Sequence, residues 1–69
     1  MITLAEIRTR LIDAIKQSGM SQTELAKKLN IRQQTVSQYL SGRAMPALDT
    51  FANLCEILDV DPSDILCMK

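Results

Sequence analysis

Ser21-Gln22-Thr23-Glu24-Leu25-Ala26-Lys27-Lys28-Leu29-Asn30-Ile31-Arg32-Gln33-Gln34-Thr35-Val36-Ser37-Gln38-Tyr39-Leu40-Ser41-Gly42 is the stretch whose reading decides the fold. Ser21 followed three residues later by Glu24 is a capping box, with Met20 and Leu25 placed to staple the entry to a helix. That helix runs from Gln22 to about Leu29 and turns Leu25, Ala26 and Leu29 inward. Asn30 stops it, because Asn tolerates a positive φ. A second amphipathic stretch, Gln33 to Leu40, buries Val36 and Leu40 and ends at Ser41-Gly42. Only Asn30-Ile31-Arg32 joins the two, and so short a link forces a steep crossing, the helix-turn-helix arrangement. Such a crossing needs a small side chain at the contact. Ala26 supplies it opposite Val36, and Ile31, the one apolar residue of the turn, plugs into the core.

The same start signal recurs on both sides. Thr3 and Glu6 form a box between Ile2 and Ile7, and Asp61-Pro62-Ser63-Asp64 places a proline at the first helical position, where its missing N–H costs nothing. These predict a first helix over about Leu4–Ser18, with Ile7, Leu11, Ala14 and Ile15 inward and Gly19 closing it, and a short last helix over Pro62–Cys67. Between them, Ala47–Leu58 reads as a fourth helix facing in with Leu48, Phe51, Leu54, Cys55 and Leu58. No segment alternates with period two. The expectation is an all-α fold of five short helices, residues 1–69 forming one domain with the helix-turn-helix at about 21–41.

Composition removes several function classes. At 69 residues, 46% of them apolar, the chain is too apolar for a disordered tail and too short for more than one small core. No apolar run approaches a membrane span, and the first twenty residues lack a signal-peptide core, so a cytoplasmic protein is expected. There is no His, one Tyr and two Cys, so neither a catalytic constellation nor a metal site can be assembled, and no cofactor is implied. Cys55 reads as a core residue and Cys67 as a residue near a fraying end.

Eight basic and eight acidic residues cancel, but they are sorted along the chain. Residues 21–43 carry a net +3, and residues 44–69 carry −4. From Arg32 to Arg43 there is no Asp or Glu, and the positions outside the core are Arg32, Gln33, Gln34, Thr35, Ser37, Gln38 and Ser41. A merely solvated helix surface mixes Glu with Lys. This one is neutral, long-armed and able both to donate and to accept. Gln can pair in bidentate fashion with adenine N6 and N7 in the major groove, Thr can meet a thymine methyl, and the missing carboxylates spare phosphates from repulsion.

Gly19–Val60 resembles the Cro and phage-repressor type of helix-turn-helix domain (lambda-repressor-like). The resemblance is carried by Ser21–Ile31, by Thr35–Arg43, by Pro46-Ala47-Leu48-Asp49-Thr50-Phe51 and by Leu58-Asp59-Val60. It implies a five-helix domain that binds double-stranded operator DNA as a transcription regulator, a repressor, with the third helix in the major groove. Carried over by position, Gln33, Gln34 and Gln38 match base-reading residues, with Thr35 beside them and Arg32 able to reach a guanine edge or a phosphate. Gln22 matches a phosphate-holding glutamine, and Ser37, Ser41 and Arg43 are placed for phosphates as well. Three positions depart from the family. Arg32 stands at an N-cap where Ser, Thr or Gly is usual, which weakens that cap by about 0.5–2 kcal/mol. Asn30 and Asp59 stand where Gly is most frequent.

One helix-turn-helix reads too few base pairs to single out a site. The resemblance therefore implies a homodimer that sets two recognition helices about 34 Å apart on a near-palindrome. The apolar end Ile65-Leu66-Cys67-Met68 is the candidate interface, and no small-molecule effector is implied. The rival reading is a docking module of the same fold without DNA binding, suggested by the zero net charge and the acidic C-terminal part.

Overall fold

The computed structural model describes all residues from Met1 to Lys69, and they form five α-helices with no strand. They are α1 (Leu4–Gln17), α2 (Gln22–Leu29), α3 (Gln33–Ser41), α4 (Leu48–Leu58) and α5 (Pro62–Ile65). The expected starts hold. Thr3, Ser21 and Asp61 accept at their caps from the N–H groups of Glu6 at 3.2 Å, Glu24 at 3.1 Å and Ser63 at 2.9 Å. The reciprocal half of the first box differs from expectation. Glu6 takes a hydrogen bond from the Thr3 hydroxyl at 3.2 Å rather than reaching back to the cap N–H.

Helices α2, α3, α4 and α5 end alike. A residue in the left-handed region follows the last turn, at Asn30 (φ 56°), Gly42 (φ 81°), Asp59 (φ 56°) and Cys67 (φ 62°). The next N–H then bonds back five residues, from Ile31 to Ala26, Arg43 to Gln38, Val60 to Cys55 and Met68 to Ser63, at 2.9–3.0 Å. This 6→1 closure satisfies carbonyls that the helix end leaves orphaned. Asn30 and Asp59 thus take the conformation that glycine would. The turn at Cys67 ends α5 two residues earlier than expected.

Leu11, Ile15, Leu25, Ala26, Val36, Tyr39, Leu54, Cys55 and Ile65 form one buried cluster, and no polar side chain is buried with them. Helix α2 packs on α3 and α4, and α1 packs on α5 and α3. Ile31 packs on the core from the turn, as its lone apolar side chain requires. Both cysteines are free, Cys55 within the core and Cys67 half-buried.

Three core assignments need correction. Leu48 is 88% exposed. Helical periodicity puts it on the inward stripe, but it is the first residue of α4, and side chains tilt toward the helix N-terminus. It therefore leans past the end of the helix, and the packed part of the stripe begins at Phe51. Tyr39 fills the core beneath α3, while Leu40 is only half-buried. The C-terminal turn also spends more of its apolar surface inward than expected. Ile65 is buried and Leu66 and Cys67 are half-buried, leaving Met68 as the exposed member. In urea unfolding, Leu25→Ala should cost about 2–5 kcal/mol, because it empties a fully enclosed site, while Leu48→Ala should stay within about 0.5 kcal/mol.

Candidate nucleic-acid interface

The angle between α2 and α3 determines what α3 can show to solvent. At the crossing Leu25 and Val36 are fully enclosed and Ala26 nearly so. With Val36, Tyr39 and Leu40 turned toward the core, the 100° step per residue leaves Gln34, Ser37, Gln38 and Ser41 along the opposite stripe. These four, together with Arg43, line one shallow concavity of about 290 Å³. Gln33 and Thr35 border it on opposite sides by the same geometry, Gln33 exposed and Thr35 half-buried. Arg32 is exposed at the N-cap, and Gln22 is half-buried at the first position of α2. The structure therefore gathers five of the nine sequence-assigned residues in one depression, with Arg32, Gln33, Thr35 and Gln22 outside it.

The side chains of this face are largely unspent. Among the nine, only Ser41 makes a side-chain hydrogen bond within the chain, its hydroxyl donating to the Gln38 carbonyl at 3.1 Å. Neither Arg32 nor Arg43 has a carboxylate partner, since the ion pairs of the molecule join Lys69 to Asp61 and Asp64 alone. Arg32 gives α3 no side-chain cap. The N–H groups of Gln33 and Gln34 have no acceptor in the chain, and nor do those of Gln22 and Thr23 at the start of the capped helix α2. Two helix N-termini thus present unpaired donors and the positive end of their dipoles.

Acidic groups collect elsewhere. Asp13, Asp59, Asp61 and Asp64 line a separate groove between α1 and the α4–α5 junction, which shares no residue with the α3 concavity. There the Lys69 ammonium lies 2.6 Å from Asp61, and that hydrogen bond holds the Asp61 carboxyl below its ordinary range and the Lys69 amine above its own. Arg10 is tied to the same end, donating to the Asp64 carbonyl at 2.8 Å.

Two residues not assigned to the site from sequence lie against it. Burial, and secondarily the charge of Asp49, pushes the Tyr39 phenol up, so it stays neutral beneath α3. Arg8 of α1 packs on Gly42, and a Cβ built on that glycine would stand 3.2 Å from the Arg8 Cδ. The acid-free run Arg32–Arg43 was the readable signal for the face, whereas nothing in the spacing of α1 singles out Arg8.

A helix-turn-helix family model matches residues 11–65 of the chain, which spans the second half of α1 and all of α2, α3, α4 and α5. The chain belongs to this helix-turn-helix family, the Cro and phage-repressor type of DNA-binding domain. Its fold is similar to the solution structure of the SOS-response transcriptional repressor LexA from Eubacterium rectale, with a TM-score of 0.78 and 26% identity over 90% of this chain and 66% of that one. It is also 38% identical over 56 residues to multiprotein-bridging factor 1c of Arabidopsis thaliana, covering 81% of this chain and 38% of that protein. The chain thus spans well under half the length of this curated relative. No helix is long and apolar enough to cross a membrane.

The uncapped start of α3 makes a stability prediction independent of any ligand. Arg32→Ser supplies an acceptor for a first-turn N–H and should raise unfolding free energy by about 0.5–2 kcal/mol, read from urea or thermal unfolding.

Proposed function

We propose that this chain is a sequence-specific double-stranded DNA-binding transcription repressor that reads the major groove with α3. The observation that carries the reading is the α3 face itself: a polar, acid-free surface with almost no internal hydrogen bonding, set outward by the helix-turn-helix crossing. The face carries two arginines and no carboxylate, beside helix N–H donors that are open to an incoming acceptor. A polyanion with readable base edges answers both features.

In this account Gln33, Gln34 and Gln38 meet base edges, with Thr35 and Arg32 at the margins. Gln22, Ser37, Ser41 and Arg43 hold phosphates. Ser41 can accept from a neighbour as it stands, but must release the Gln38 carbonyl before its own proton is free to reach a phosphate oxygen. The acidic groove between α1 and the α4–α5 junction faces away from the duplex, since its carboxylates would oppose binding.

Two copies act together on a near-palindrome, because one α3 spans too few base pairs. Met68, flanked by half-buried Leu66 and Cys67, provides the contact at the C-terminal turn. Little apolar surface remains there, so pairing is weak in free solution and completed on DNA. A docking role is the second reading. It is supported by the acidic groove and by the likeness to a protein named a bridging factor.

Selection of bound sequences from a random duplex pool tests the proposal, with an enriched near-palindromic site expected. No retention of duplexes even at low salt would favour docking. On the selected site Gln33→Ala or Gln38→Ala should lose about 1–3 kcal/mol while leaving random duplexes almost unaffected. Gln22→Ala and Arg43→Ala should weaken all duplexes alike, since phosphate contacts carry no sequence. Arg43→Glu should abolish binding and Lys69→Glu should not. Sedimentation of the complex should give two chains per site, and a strict 1:1 complex at high protein concentration would rule the dimer out.

A further inference from the structure

Arg8 contains the one buried side-chain nitrogen or oxygen in the molecule that has no hydrogen-bond partner, its Nε. Burying part of a guanidinium without an acceptor is costly, so a fold retains it only where something offsets the cost. Within the chain no hydrogen-bond acceptor does. Arg8 has no carboxylate within ion-pair distance. Its neighbour on α1, Arg10, behaves differently and spends a terminal nitrogen on the Asp64 carbonyl.

The stem of Arg8 crosses from α1 to the turn that follows α3. Cδ and Nε stand 3.2 and 3.7 Å from the place a Gly42 Cβ would occupy. Gly42 lies between Ser41 and Arg43, the two residues that end the α3 concavity. The terminal guanidinium nitrogens also lack a partner in the chain, but unlike Nε they reach solvent. A half-buried cation thus packs against the α3–α4 turn with its fork unpaired.

We infer that Arg8 is a DNA-binding residue contributed by α1, outside the helix-turn-helix, and that it grips the phosphate lying over the Ser41–Arg43 turn. The inference rests on the functional reading above and extends the interface to a third helix. Arg43 is an exposed cation with no ion-pair partner in the chain. The Arg8 stem is already half-buried against Gly42, so ordering it on binding costs less than ordering a fully exposed side chain. The requirement for Gly42 follows as well. Besides its positive φ, a Cβ there would stand 3.2 Å from the Arg8 Cδ, so the stem would have to shift by a few tenths of an ångström.

The rival role for Arg8 is structural: a positive charge near the C-terminal end of α3 interacts favourably with the helix dipole. A melting curve responds to that role, while the salt dependence of DNA binding does not. The test therefore measures log K against log salt concentration on one duplex for the wild-type chain, Arg8→Met, Arg8→Gln and Arg10→Met. Arg8→Met keeps a stem of similar length on Gly42 and removes the charge. Its slope should be shallower by about 0.9, the loss of one phosphate contact, with the preference between selected and random duplexes unchanged. Arg8→Gln should give the same slope should the Met variant fold poorly, and Arg10→Met should keep the wild-type slope. Arg8 variants that bind with the wild-type slope, whatever their melting point, would overturn the inference while leaving the DNA-binding reading intact. A wild-type chain with no salt-dependent binding to duplex DNA would overturn both.

Discussion

Everything this molecule presents to a partner depends on one contact, the crossing of α2 over α3 at Leu25, Ala26 and Val36. Leu25, Ala26 and Val36 are all buried where α2 packs on α3, and the small Ala26 side chain leaves room for a close approach. The turn between them is short and fully determined. Asn30 is left-handed, the Ile31 N–H bonds to the Ala26 carbonyl at 3.0 Å, and the Ile31 side chain packs into the core. Rotating α3 by a single residue would bring Ser37 or Gln38 toward the core and expose Val36. The polar face and the core are therefore two consequences of the same packing, and one cannot change without the other.

A chain of 69 residues has little core with which to hold such an arrangement. It economises on loop entropy, because four helices close with the same back-bonded left-handed turn, and α2 and α4 each reach the next helix through three residues. Asn30, Asp59 and Cys67 accept positive φ with a side chain attached, whereas at Gly42 a Cβ would also stand a tight 3.2 Å from the Arg8 Cδ. Charge is separated by the same economy. Cations and unpaired N–H donors lie around α3 and the start of α2, while carboxylates gather between α1 and the α4–α5 junction. A net charge of zero hides this dipolar arrangement entirely.

Much of this was legible in the residues. The caps at Thr3, Ser21 and Asp61, the stops at Gly19, Asn30 and Gly42, and the three-residue link are local signals, and local signals survive folding. The acid-free run from Arg32 to Arg43 likewise announced the outward face. What escaped was set by long-range packing. Leu48 has the right period but no facing helix at its end of α4, and Tyr39 displaces Leu40 from the deepest position because its ring reaches further into the core. Cys67 gives no sign in sequence that it will turn left-handed. Arg8 looks like any surface cation until the α3–α4 turn is brought against it. A periodic pattern says which side of a helix faces inward, and only tertiary contact says where along the helix that side is covered.

The central claim is that the outward side of α3 is a duplex-reading surface. Titrating isotope-labelled protein with a selected DNA duplex and following backbone and Gln side-chain amide resonances by NMR tests it most directly. The account predicts the largest shifts at Gln22 and from Gln33 through Arg43, reversed by added salt, with smaller shifts at the C-terminal turn from pairing and with Asp13 and Asp59 unmoved. Shifts centred on the groove between α1 and the α4–α5 junction, or none at all at low salt, would contradict it.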